Sequence, residues 1–483
     1  MRLLDLSVIL AYLLGVTWFG ARFRRRQTGL SEYFLGGREA PWWAIALSIV
    51  SAETSTLTIV GTPALSFNGN FAFLQVVLGY LLARLVISAI LLPAYFGGRM
   101  FTAYQLMRQR FGERVRKLTA LIFLFTRAMA EGVRVFAISI VISIILGTGE
   151  TASILLIVAL TLFYTFEGGM TAVIWTDVLQ MAMYVAGALI SFFVILHQIP
   201  GGWPHVVEVA GAAGKFQVFD FRFGFGMPYT FWAGVIGGCF LTTASHGTDQ
   251  LIVQRLLSAR SERESRRALM ASWVVVFFQF SLFLLIGVLL WTVYSESGIP
   301  APKPLDRIYP QFVWQNVPAG VRGVIMAAIL AAAMANLSAA LNSLASTTVI
   351  DFLRPLLPRM DDRRQLQLAR WATVFWAAVL VVIGLLAQNW GTVLESGLSI
   401  ASVTLGLLLG VFLLGLLTRR AGQLGAFIGV LLGLAAMIYV KGYTHIAFTW
   451  WVLIGSSVTL ISGWLTSVLT RERPTQIEKA EVL

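Results

Sequence analysis

Thirteen blocks of nearly uninterrupted apolar residues alternate along the chain with short polar connections. They lie near 5–21, 41–65, 72–96, 118–146, 152–166, 176–197, 229–253, 269–294, 321–349, 371–389, 395–418, 422–440 and 447–469. A helix needs roughly 20 residues to cross the hydrocarbon of a bilayer. Within lipid every backbone N–H and C=O must pair inside the protein, so an apolar run of that length is read as helix. The weak period-two alternation of an outer-membrane barrel is missing. The pattern predicts an all-α polytopic membrane protein with thirteen transmembrane helices.

Composition agrees. Hydrophobic residues make up 58% of the 483 positions and charged residues 12%, with mean hydropathy +0.79. A soluble domain carries about a quarter charged residues. The net charge of +13 would suit nucleic acid, but the basic residues are partitioned by side. With the N-terminus outside, the connections read as cytoplasmic hold 26 Lys and Arg, including Arg110, Arg116, Arg255 and Arg263. The outer segments hold 7, among them Arg2, Lys215, Arg222 and Arg322. That bias sets the orientation and places the C-terminus in the cytoplasm. The first apolar block has no small-residue cleavage site and its basic run follows it, so it reads as a spanning helix, not a leader. Cys239 stands alone inside an apolar block and excludes a disulfide framework. The outer loops 198–228 and 295–320 have room for short surface helices. No fused signalling domain is visible. The reading is a multi-pass protein of a bacterial inner membrane whose pathway needs no partner subunit.

Charges inside spans are costly in hydrocarbon and mark candidate functional groups. Arg84, Arg127 and Arg134 lie within blocks, as do Glu53, Glu131, Asp177 and Asp249. Glu131 follows Arg127 by four residues and precedes Arg134 by three, so the three share a helical face. A structural ion-paired lock and a functional cluster both fit that spacing. The stretch SAETSTLTIVGTP, residues 51–63, is mostly Ser, Thr, Gly, Pro and Glu. Such a stretch suits an interrupted helix near the midplane, where transporters bind ions and solutes. The alternative is a contact made by small residues. A second interruption, HGTDQ, places His246, Asp249 and Gln250 around Gly247. The four histidines show no metal-ligand spacing, and neither a phosphate loop nor a nucleophile–base pair appears, so the chain reads as a non-enzyme without a cofactor.

Five stretches resemble the sodium:solute symporter family of sodium/glucose, sodium/proline and sodium/iodide cotransporters. They are TAYQLMRQRFG (102–112), GGMTAVIWTDVLQ (168–180), GTDQLIVQRLLSAR (247–260), AAAMANLSAALNSLASTTVIDF (331–352) and GLLLGVFLLGLLTRRAGQLGAFIG (406–429). The resemblance implies a LeuT-like core of two five-helix inverted repeats. An extra N-terminal helix and basic loop would occupy 1–40, the repeats 41–197 and 229–418 with an outer loop at 198–228 between them, and two further helices with a tail 419–483. It implies a sodium site with backbone carbonyls from Ser51, Thr54 and Ala332, and side-chain ligands at 335 and 336. Those positions are Ala335 and Asn336 here. Positions 332, 335 and 336 share a helical face, but Ala335 supplies no oxygen, so the implied site lacks one ligand and the Asn336 amide oxygen stands in for another.

The expectation is cation-coupled import, with sodium the family's ion, of a small polar solute by alternating access. The rivals are a sodium-independent, proton-coupled or facilitative transporter, with Asp177 on the cation pathway, and a non-transporting nutrient sensor. Glu53, Ser55, Tyr80, Arg134, His246 and Asp249 are the expected substrate-pocket residues. Their hydroxyls and mixed charges suit a sugar or sugar acid, and likeness of 247–260 to the sodium/glucose branch points the same way.

Overall fold

The computed structural model describes residues 2–22, 30–97, 100–303, 305–357, 361–387 and 393–471. Part of the basic run after the first block (Arg24, Arg25 and Arg26), Arg99, Arg359 and the polar tail with Arg473 and Lys479 lie outside them. The apolar blocks are helices, as pairing of the backbone in lipid requires. In chain order these are α1 (Arg2–Ala21), α2 (Trp42–Glu53), α3 (Thr56–Asn68), α4 (Leu74–Val86), α5 (Glu113–Leu146), α6 (Glu150–His197), α7 (Gly238–Gly247), α8 (Gln250–Leu257), α9 (Glu262–Ser297), α10 (Val321–Thr347), α11 (Asp362–Ala387), α12 (Val393–Leu417), α13 (Gln423–Tyr443) and α14 (Phe448–Leu469). Among the described residues seven helical runs are long and apolar enough to cross a bilayer, and the bent pair α2–α3 is an eighth. Short helices at Gly202–Ala212 and Ile308–Asn316 lie in the two long loops that the charge bias reads as outer.

The blocks 152–166 and 176–197 are both helical and fall within one assignment, α6. A straight helix of 48 residues would measure roughly 72 Å, well beyond one bilayer crossing, and α6 holds two apolar segments, Glu150–Phe163 and Met170–His197.

Both polar interruptions are helix breaks. Between α2 and α3, Thr54 (φ −79°, ψ 104°) and Ser55 (φ −98°, ψ 168°) are extended, and the two halves bend by 62°. Ser55 is the N-cap of α3, and its N–H donates to Thr58 Oγ1 at 3.3 Å, one arm of a capping box. Between α7 and α8, Thr248 and Asp249 leave the helix, and Asp249 Oδ1 caps α8 by accepting the Leu251 N–H at 2.9 Å. Small polar residues thus end each half-helix, because their side chains satisfy the backbone groups that the break exposes.

Packing relies on small side chains, since lipid removes the hydrophobic drive between helices. The alanine-rich α10 is buried along almost its whole length and lies against α6 and α1. On α9, Gly287 lets the backbone approach the Pro63 carbonyl and Ser66 hydroxyl of α3, and Ser66 Oγ donates to the Leu284 carbonyl at 2.7 Å.

Segments that the charge bias puts on one side bond to each other. On the side read as outer, Asp5 accepts from the Gly320 N–H and from Arg322 Nε, both at 2.7 Å, and Lys215 Nζ donates to the Phe67 carbonyl at 2.7 Å. On the other, Arg38 donates to the Met100 carbonyl at 3.0 Å, Arg260 to the Glu39 carbonyl at 3.0 Å and Arg110 to the Thr418 carbonyl at 2.7 Å.

Candidate functional site

The two breaks face a common cavity of ≈ 230 Å³. Helices α2–α3, α4, α5 and α7–α8 contribute to its wall, and all six residues expected in the substrate pocket line it: Glu53, Ser55, Tyr80, Arg134, His246 and Asp249. A wider vestibule of ≈ 670 Å³ shares Gly61, Leu65, Phe73 and Tyr229 with it, and is bordered by Asn68, Asp220 and Arg222 from segments that the charge bias reads as outer. The Asp220–Arg222 ion pair at this rim holds the Asp220 carboxyl below its ordinary pKa, chiefly through the Arg222 hydrogen bond.

Two ion networks hold the cavity walls. In the first, Glu53 at the end of α2 accepts from Arg84 Nη2 at 2.9 Å and pairs with His246 Nε2 at 3.1 Å. Arg84 is fully buried and also donates through Nε to Ser272 Oγ at 3.1 Å and the Leu269 carbonyl at 3.2 Å. Glu53 therefore clasps α4, α7 and, through Arg84, α9. In the second network Arg127 reaches both Glu131, at 2.8 Å, and Asp249. Glu131 also pairs with Arg134. Three arginines thus face three carboxylates, which keeps the buried charges compensated.

Arg134 differs from the other two. Its Nη1 donates to Glu131 and to Asn336 Oδ1, the latter at 3.1 Å. Its Nη2 and Nε make no hydrogen bond to the described residues, and the side chain is 27% exposed at the cavity wall. One edge of the guanidinium is anchored and the other is presented.

The positions implied for the cation lie beneath this wall. Ser51, Thr54, Ala332 and Ala335 are all buried. Thr54 Oγ1 accepts from Gln279 Nε2 at 2.6 Å, and Gln279 Oε1 accepts from the Tyr184 hydroxyl at 3.5 Å. Asn336 lies between the two groups: its amide oxygen accepts from Arg134 of α5 at 3.1 Å, which leaves one lone pair, while its Nδ2 donates to the Ala52 carbonyl at 2.6 Å. Asp177 sits apart from the cavity, fully buried. It accepts from Ser48 Oγ at 2.5 Å and Arg255 Nη2 at 2.8 Å, and Arg255 Nε donates to Ser48 at 2.8 Å. This triangle ties α6, α8 and α2 together.

Sequence reasoning missed Arg84 as the partner of Glu53, Arg255 as the partner of Asp177, and Gln279. A signal for Gln279 existed: it is a lone amide within the apolar run VVVFFQFSLFLL.

A membrane-spanning bundle with two broken helices around a polar, charge-balanced cavity is the architecture of a secondary transporter of the LeuT-like class. A solved nucleobase-cation-symport-1 transporter, Mhp1, shares this fold with a TM-score of 0.60 at 15% identity, over 92% of this chain and 96% of that one. The family model of the sodium:solute symporter family matches residues 33–433, and the chain belongs to that family. A sodium-coupled sialic acid symporter solved in a substrate-bound outward-open state superposes with a TM-score of 0.90 at 25% identity, over 98% of this chain and 99% of that one. Among curated relatives, the sodium/sialic acid symporter NanT of Aliivibrio fischeri is 26% identical over 96% of this chain and 93% of its own length. The sodium-coupled monocarboxylate transporter 2 of Mus musculus is 26% identical over 92% of this chain and 70% of its own. Membership supports sodium-coupled symport of a small solute over the sodium-independent and sensor alternatives.

Proposed function

We propose that this protein imports a sugar acid with sodium across a bacterial inner membrane, by alternating access around the cavity between the two breaks. The observation that carries the choice of an acid is Arg134. A guanidinium pinned on one edge and open on the other is preorganised to take a carboxylate through two parallel N–H···O bonds. Glu53, Ser55, Tyr80, His246 and Asp249 supply hydroxyl, imidazole and carboxylate groups around it, suited to a polyhydroxylated body. The relatives named for sialic acid and monocarboxylates transport anions, in keeping with a carboxylate clamp.

Sodium would enter at the α2–α3 break, coordinated by the carbonyls of Ser51, Thr54 and Ala332 with help from position 336, since a hard cation takes oxygen donors. Ala335 leaves this site one ligand short. Asp177, paired with Arg255 and bonded to Ser48, would brace α6, α8 and α2 beside the ion's route without binding the ion. The topology has thirteen spans, with the N-terminus outside and the C-terminus in the cytoplasm; the charge partition and the same-side bonding of the connections support it.

The test is uptake into proteoliposomes under an imposed inward sodium gradient, with sialic acid, glucose and lactate as probes. Concentrative, sodium-dependent accumulation of sialic acid is expected. Accumulation of glucose alone, or uptake that follows a pH gradient and ignores sodium, would overturn the reading.

A further inference from the structure

Asn336 stands between the two ligands of the proposed symport cycle. Its Oδ1 accepts from Arg134 Nη1 at 3.1 Å, and its Nδ2 donates to the Ala52 carbonyl at 2.6 Å, between Ser51 and Thr54 of the broken helix. The side chain is 3% exposed, so neither contact is shared with bulk water. The residue before it, Ala335, has no side-chain oxygen. A cation at the break therefore finds the Asn336 amide oxygen as the side-chain donor at positions 335 and 336, and that oxygen already accepts from a guanidinium whose positive charge opposes a second cation on its other lone pair.

We propose that the Asn336 amide oxygen is a switch shared between Arg134 and sodium, released to the ion when a carboxylate occupies the open edge of Arg134. The proposal rests on the carboxylate-clamp reading of Arg134. Arg134 Nη1 is divided between Glu131 and Asn336, and Glu131 is itself divided between Arg127 and Arg134. A carboxylate arriving at Nε and Nη2 draws the guanidinium into the cavity and lengthens its bond to Asn336. With the guanidinium's charge withdrawn, the oxygen can turn its lone pairs to the ion, while Nδ2 keeps its hold on Ala52. Substrate and sodium then favour each other by the same factor in both directions, as linkage requires. The device also compensates for Ala335: the missing ligand is made good only when substrate is present, which discourages sodium from crossing alone.

Sodium itself is the probe for the test. Its Kd is measured on the purified full-length protein by thermal shift in NaCl titrations against choline chloride, for wild type, Arg134→Met, Asn336→Ala and the double variant. Removing Arg134 should tighten sodium binding roughly five-fold or more while Asn336 is present, the low end of ordinary allosteric coupling. With alanine at 336 the same change should have a much smaller effect, that of the lost positive field alone. Equal factors in the two backgrounds, or no change on removing Arg134, would overturn the switch. Asn336→Ser is the second variant should alanine fail to fold. Its hydroxyl is too short to reach Arg134 yet can serve the ion, so the effect of removing Arg134 should shrink to that of the lost positive field, as it does with alanine. Saturating sialic acid should tighten sodium binding in wild type and not in Arg134→Met. Coupling between Arg134 and Asn336 with no response to sialic acid would leave the switch standing and count against the sugar-acid assignment instead.

Discussion

Asp177→Asn distinguishes a structural strut from an ion ligand. The carboxylate is fully buried and accepts from Arg255 at 2.8 Å and Ser48 at 2.5 Å, and Arg255 is itself 1% exposed. The amide preserves the shape and removes the charge, so Arg255 is left buried with no counter-ion. Breaking a buried ion pair from one side costs about 3–5 kcal/mol. Asparagine keeps one acceptor oxygen, and Arg255 keeps the Leu251 carbonyl at 2.7 Å, which places the expected loss near the lower bound, about 3 kcal/mol. Thermal midpoints of detergent-purified protein, followed by loss of the monodisperse size-exclusion peak, should fall clearly for Asp177→Asn. They should recover much of the way for Asp177→Asn with Arg255→Met, because the pair is then neutral and no charge is orphaned. A single variant with the wild-type midpoint but no sodium stimulation would refute this argument and make Asp177 a ligand of the ion.

Arg134→Ala should raise KM for an acidic substrate roughly 10- to 100-fold, the worth of a hydrogen-bonded charge, while any neutral-sugar uptake survives; liposome uptake kinetics measure it. Gly287→Ala should lower the thermal midpoint, because a methyl there meets the Pro63 carbonyl and Ser66 hydroxyl, and overpacking of this kind costs about 1–3 kcal/mol. In a Cys239→Ser background, Asn68→Cys should react with an impermeant maleimide on intact cells and Arg263→Cys only after permeabilisation. Labelling of the latter from outside would reverse the proposed orientation.

Much of the architecture was legible because lipid makes local rules strict. Backbone groups that cannot bond to water force apolar blocks into helices, so the apolar blocks could be read as helices one at a time. The two breaks could be read because Ser, Thr, Asp and Gly within a span have a local backbone reason to be there, and Ser55 and Asp249 act as caps. Helical spacing also set the contacts within α5: Arg127, Glu131 and Arg134 meet at four and three residues, as they must on one face. Partners from different helices were another matter. Glu53 meets Arg84 across 31 residues of sequence, Asp177 meets Arg255 across 78, Arg127 meets Asp249 across 122, and Arg134 meets Asn336 across 202. Each of these depends on how two helices are rotated about their axes and how closely small residues let them approach. Sequence could name Asn336 as a residue with an amide oxygen to offer. Only the packing of α10 against α5 and α2 decided that Arg134 already holds that oxygen, because a side chain's partner is chosen by the surface of the neighbouring helix and not by its own.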